Sequence, residues 1–109
     1  MSKYRSRRTT VAGQVFDSAK EAQRYCELML LQKAGEISHL QRQPEYTLIP
    51  NQKRGGKVVE RAVKYRADFF YIDKEGREVV EDVKGMRTKE YIIKRKLMLW
   101  ELGIMVKEV

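Results

Sequence analysis

The stretch "DFFYIDKEGREVVEDVKG", residues 68–85, decides how this chain folds. Phe69, Phe70, Tyr71, Val79, Val80 and Val83 carry the aromatic and β-branched side chains that fit a pleated, half-buried surface. Between the two apolar runs, "DKEG" suits a three-residue hairpin loop, Lys74 to Gly76, with Gly76 in the left-handed conformation. That register sets Asp68 directly opposite Asp82, with Cβ atoms roughly 5 Å apart. Lys84, two residues beyond Asp82, projects from the same face. Two carboxylates that close repel each other unless a cation or a proton lies between them. One reading is a surface cluster in which Lys84 neutralises both aspartates diagonally. The other is a bound cation, and Phe69, Phe70 and Tyr71, which call for burial of both faces, favour it. Alternation puts Glu81 on the wrong face for this cluster, among residues that should be buried, and leaves it unexplained.

Working outward toward the C-terminus, "TKEYIIKRKLMLWELG" reads as a helix, with Thr88 as N-cap and Gly103 as its stop. Ile93, Leu97 and Trp100 recur at helical spacing and are expected in the core. "IMVKEV" closes the chain as a short strand, and a strand that follows a helix should lie parallel to the one before it. Toward the N-terminus, "VVERAVKYRADFFYI" and "EISHLQRQPEYTLIP" are strands, the latter bent at Pro44. The glycine pair in "NQKRGGK" makes the hairpin tip between them. Before these, "DSAKEAQRYCELMLLQKAGEI" has Ser18 and Glu21 in capping-box spacing and Gly35 near its end. Ala22, Tyr25, Cys26 and Met29 are the expected apolar face of this first helix. The expected order is αβββαβ, an α/β (α+β) domain with a mixed four-stranded sheet flanked by helices. Residues 1–12 read as a basic flexible arm and residues 13–109 as one domain.

Composition narrows the function. Twenty-three Lys and Arg against fifteen Asp and Glu give a net charge of +8, which favours polyanionic partners, nucleic acid first. The longest apolar run is too short to span a membrane, and the basic N-terminus has no apolar segment behind it, so it is not a secretory signal. A single cysteine, Cys26, and a single histidine, His39, exclude an internal disulfide and a recognisable zinc site. An intracellular, cytoplasmic location is the default expectation. Two carboxylates on adjacent strands suit Mg²⁺ or Mn²⁺, and such an ion lowers the pKa of bound water and stabilises charge developing on a phosphodiester. Lys84 adds a positive charge that can position the nucleophile or meet the phosphate.

Asp68, followed after a hairpin by Asp82-Val83-Lys84, resembles the D…(D/E)xK signature of the PD-(D/E)XK nuclease superfamily, and the expected element order is that of its restriction-endonuclease-like core. "QP" at Gln43-Pro44 and "YRADF" at 65–69 resemble the paired strands of its resolvase-like branches. "SKYRSRRT", "FDSAKEAQRY" and "VVEDVKG" look closest to small nucleases carried by phages and prophages. The resemblance implies a Mg²⁺-dependent DNA endonuclease acting on branched or recombination DNA in the cytoplasm, the host's if phage-encoded. It implies metal ligands at Asp68 and Asp82, with the Val83 carbonyl as a third, and Lys84 as the catalytic lysine. Glu21 matches a glutamate that many branches direct toward the metal, although it is also the capping-box glutamate. Gln43 matches a polar residue that some branches place beside the site. Ala67 stands where the name-giving motif has proline, and Glu81 next to Asp82 leaves open which carboxylate is the ligand; sharing a face with Lys84 favours Asp82. Lys3, Arg5, Arg7 and Arg8 of the arm, Arg54 and Lys57 of the hairpin tip, and Lys89 and Tyr91 of the second helix are the candidate nucleic-acid contacts. A junction resolvase would act as a two-fold homodimer to make paired cuts. The alternative is a non-catalytic DNA-binding or recombination accessory module on the same fold.

Overall fold

The computed structural model describes residues 8–11 and 13–109. Its elements run β1 (Thr9–Val11), β2 (Gln14–Phe16), α1 (Ala19–Lys33), β3 (Ser38–Arg42), β4 (Glu45–Ile49), β5 (Gln52–Arg54), β6 (Lys57–Glu60), β7 (Val63–Arg66), β8 (Phe69–Ile72), β9 (Glu78–Asp82), α2 (Lys89–Leu102) and β10 (Lys107–Glu108). The class is α+β. A mixed four-stranded sheet has the order β10-β9-β8-β3, and β10 runs parallel to β9 after the α2 crossover, as expected. Two further ladders, β4 with β7 and β5 with β6, and a small hairpin of β1 with β2, complete the strands. The first long strand read from the sequence is broken in two at Gln43-Pro44, and the second is broken in three, at Arg61-Ala62 and at Ala67-Asp68. Of the expected arm, Thr9–Val11 form β1, and Lys3, Arg5 and Arg7 lie outside the described residues.

The chain groups into two compact units. Of the described residues, one comprises 8–11 and 13–40 with 71–78, the other 41–70 with 79–109. In the first unit, Ser18 caps α1 by accepting a hydrogen bond from the Glu21 amide at 3.1 Å. The buried stripe of α1 is Glu21, Ala22, Tyr25 and Leu28. Phe16 is fully enclosed and lies against Tyr25, with ring centroids 5.1 Å apart, while Gln14 Nε2 donates to the Tyr25 hydroxyl at 2.9 Å. Cys26 and Met29, expected on that face, are exposed. The buried side of the helix is the one on which Tyr25 meets Phe16 of β2. In the same unit the 74–76 loop has the expected three-residue form. Gly76 sits at φ 82°, and the Asp73 amide donates to the Arg77 carbonyl at 2.8 Å. The Asp73 carboxylate accepts from the amides of Arg77 and Glu75 and from Arg77 Nε. Foremost the Arg77 amide bond holds this carboxyl below its usual range.

The core of the second unit is Leu48, Tyr65, Ala67, Val80, Tyr91, Met98 and Val106, flanked by half-buried side chains that include Phe70, Ile92 and Leu97. Thr88 caps α2 and Gly103, at φ 69°, ends it, as the sequence indicated. The inward stripe of α2 departs from expectation: it is Tyr91 and Met98, whereas Ile93 is 59 % and Trp100 82 % exposed. The reason is visible at Lys94 and Arg95, between Tyr91 and Met98 in sequence. Both side chains are half-buried, and their charged ends pair with Glu90 and Glu108. Met98→Ala should therefore cost about 2–5 kcal/mol in urea unfolding, whereas Trp100→Ala should stay within about 0.5 kcal/mol. Equal losses at the two positions would restore the stripe read from spacing.

Candidate functional site

Asp82 ends β9, and its side chain is 5 % exposed. A carboxylate taken out of water needs partners for its charge and its lone pairs. Both oxygens have one: the Tyr65 hydroxyl donates to Oδ2, and Lys84 Nζ lies 2.8 Å from Oδ1. Strand alternation thus delivers Lys84 to Asp82 as the sequence required, and it identifies Asp82 as the carboxylate of the cluster. Glu81, on the opposite face, is fully buried, as alternation anticipated. Tyr65 sits in the core facing inward from β7. Burial raises its hydroxyl pKa far above the ordinary value, and the Asp82 hydrogen bond and the charges of Asp82, Tyr91 and Asp68 add to this. The phenol therefore keeps its proton and acts as a donor to Asp82 throughout the physiological range.

Asp68 corrects the simple ladder. It lies in the bend before β8 and not within the strand, and its amide donates to the carbonyl of Glu81 at 3.1 Å. Its carboxylate reaches the end of β9, where Oδ2 accepts the Val83 amide at 2.6 Å. Both carboxylates still bear on the Tyr65 hydroxyl. Gln43 joins the cluster through its backbone: its amide donates to the Asp68 carbonyl at 2.9 Å, with Gln43 itself exposed and at φ 55°. Glu21 belongs to the first unit, buried in the first turn of α1. Among the described residues no three His, Cys, Asp or Glu side chains group as metal ligands. The carboxylates at the end of β9 are Asp68 and Asp82, and the other oxygens of the Mg²⁺ or Mn²⁺ shell expected from the sequence would come from backbone, water or phosphate.

Behind Lys84 stands a set of residues whose arrangement the sequence did not disclose. The Lys84 ammonium lies 3.9 Å from the centroid of the Tyr91 ring. Tyr91 was expected to touch phosphate, but it is buried, and its hydroxyl donates to Glu108 Oε2 at 2.7 Å. Burial first, then that hydrogen bond, raises its hydroxyl pKa well above the ordinary value. Glu108 in turn accepts from Arg87 Nε at 2.8 Å and from Arg95 Nη1 at 3.1 Å. These pairs join residues 13 to 21 apart, and nothing local in "IMVKEV" announces them. The remaining nucleic-acid candidates are exposed: Arg8, Arg54 and Lys57 at the β5–β6 tip, and Lys89 at the start of α2.

The family model described as "Protein of unknown function (DUF1064)" matches residues 1–103, and the chain belongs to that family. No curated protein and no solved structure matches it. No helix among the described residues is long and apolar enough to cross a membrane.

The Arg87 hydrogen bond, with those of Tyr91 and Arg95, holds the Glu108 carboxyl at about 2, against an ordinary 4.5. A depressed carboxyl stabilises the folded state above its unfolded pKa and ceases to do so as pH falls through its folded pKa. The contribution of Glu108 is thus complete above about pH 4.5 and disappears toward about pH 2. In urea titrations, Glu108→Gln should be less stable than the parent at neutral pH, and the gap should close across that acidic window. A gap independent of pH would show that the carboxylate is not held by these cations.

Proposed function

We propose that this member of the DUF1064 family is a Mg²⁺- or Mn²⁺-dependent DNA endonuclease of PD-(D/E)XK type, with Asp68 and Asp82 as metal ligands and Lys84 as the catalytic lysine. The observation that carries the reading is the meeting of Asp68, Asp82 and Lys84 at the end of β9. The Lys84 ammonium is 2.8 Å from Asp82, and Asp68 is held on the Val83 amide between them in sequence. The donor chemistry fits the ion. Two carboxylates supply hard oxygens, and each oxygen with one hydrogen bond keeps a further lone pair. When bound, the ion would lower the pKa of water and offset charge on the phosphodiester.

The protein's own groups have separable tasks in this reading. Tyr65 fixes the rotamer of Asp82 through Oδ2, leaving Oδ1 toward Lys84. Val83 fixes Asp68 in the same way. Lys84, with its side chain 23 % exposed, offers the positive charge at the edge of the cluster, where a phosphate oxygen can reach it. Arg54, Lys57 and Lys89 supply sequence-independent contacts to the backbone, consistent with the net charge of +8. An enzyme acting on branched or recombination DNA would work in the cytoplasm, the host's if the chain is phage-encoded.

The test is cleavage of a panel of branched and linear DNAs with Mg²⁺ or Mn²⁺, beside gel-shift binding and calorimetry of the metal. Asp82→Ala should abolish metal-dependent cleavage and leave DNA binding intact or tighter; Lys84→Ala should lower cleavage without removing metal binding. Full activity in Asp82→Ala would overturn the proposal. Salt-sensitive DNA binding with no uptake of either ion at millimolar concentration would overturn it too, in favour of an accessory module.

A further inference from the structure

We infer that Tyr91 is the positioning residue of Lys84: its ring face and the Asp82 carboxylate together hold the ammonium, and Glu108 locks the ring in place. The inference rests on the nuclease reading for its catalytic consequence and on geometry for the rest. A lysine side chain has a long flexible stem, and ordering it costs on the order of 1.5–2 kcal/mol of rotamer freedom. One ion pair leaves much of that freedom. A second contact from a different direction removes it, and the Tyr91 ring supplies one 3.9 Å from the ammonium.

The ring is itself held at three points. The Tyr91 amide donates to the Thr88 hydroxyl at 3.0 Å, which fixes the backbone at the first turn of α2. The ring packs against Tyr65, with centroids 6.3 Å apart, and Tyr65 is the residue that donates to Asp82. The hydroxyl donates to Glu108, which Arg87 and Arg95 secure. Asp82 and Tyr91 thus share Tyr65 as a common support, so the two contacts to Lys84 are registered against each other. Parallel β10 brings Glu108 to this point: its neighbour Val109 donates to the Asp82 carbonyl and accepts from the Lys84 amide.

The test uses the full chain. Tyr91→Leu removes the ring; Tyr91→Phe keeps the ring and removes only the hydroxyl. Steady-state cleavage should show kcat lowered about ten- to a hundredfold in Tyr91→Leu, the scale expected of a misplaced catalytic group. KM for DNA should change less than about twofold, and Tyr91→Phe should recover most of kcat. Independently of activity, NMR of the metal-free protein with labelled lysine should show the Lys84 ε-methylene protons shifted upfield by the ring. That shift should remain, though reduced, in Tyr91→Phe and vanish in Tyr91→Leu. If Tyr91→Leu fails to fold, Glu108→Gln, which loosens the ring, should reduce the upfield shift. An unshifted Lys84 in the parent protein overturns the inference whatever the activity. Cleavage by the parent with unchanged kcat in folded Tyr91→Leu overturns the positioning role and leaves the nuclease reading standing. A parent that shows the shift and cleaves no DNA overturns the catalytic consequence together with the nuclease reading.

Discussion

Asp82 is a carboxylate at the closed end of a strand, almost wholly removed from water, and the surrounding structure follows from keeping it charged. Desolvation of an ion costs several kcal/mol unless partners replace the water. Tyr65 replaces it at one oxygen and Lys84 at the other. The lysine is then itself mostly covered, and the Tyr91 ring lies against it. The Tyr91 hydroxyl, buried in its turn, requires an acceptor and finds Glu108. At its far end the series reaches water through Arg87, which is exposed. Each member satisfies the demand that the previous one creates. Such a series specifies geometry more than it adds stability, because removing one partner of a buried pair leaves the other charge unmet, typically at roughly 3–5 kcal/mol.

The parts of this arrangement that sequence discloses are those governed by short-range rules. The 74–76 loop is read from one glycine that must take a positive φ, and that loop brings β8 and β9 together. The caps at Ser18, Thr88 and Gly103 follow from side-chain or backbone chemistry within one helical turn. Strand alternation places Asp82 and Lys84 on one face and Glu81 inside. Helix faces were less legible because spacing fixes a stripe but not its rotation when several apolar residues compete. On α2, Ile93 and Trp100 lost to Tyr91 and Met98, since the tyrosine has a half-buried acceptor and the basic residues beside it have acidic partners. Glu108 had no local signature: its partners are set by the parallel return of β10, which is a property of topology.

The β9–α2–β10 crossover is accordingly more than a scaffold for one strand. Parallel pairing places residues 107 and 108 beside 81 and 82. It also directs the backbone of Val109 to bond on both sides of Val83, at Asp82 and Lys84. The segment that presents the lysine is therefore clamped through its main chain by the last residue of the described chain. A segment so clamped can hold a charged side chain at a fixed height above the sheet, which an exposed strand end could not.

The position of Asp68 follows from a pair of bends and not from the ladder that first suggested it. Gln43-Pro44 interrupts one strand and Ala67-Asp68 the other, and the two interruptions bond to each other. Gln43 donates to the Asp68 carbonyl at 2.9 Å, and Ala67 donates to the Pro44 carbonyl at 3.1 Å. Proline has no amide to offer a ladder, so the first strand must break near it. The break is closed by holding Gln43 at φ 55°, a conformation that costs a non-glycine residue of order 1 kcal/mol or more. In that conformation the Gln43 amide holds the carbonyl of Asp68, whose own amide bonds to the Glu81 carbonyl. Within a strand, the Asp68 carboxylate would stand opposite Asp82 and repel it. In the bend it turns onto the Val83 amide, where a backbone donor meets its charge. The repulsion that made the sequence pattern look improbable is thus relieved by backbone geometry. The charges of the two carboxylates are left acting on one hydroxyl, that of Tyr65.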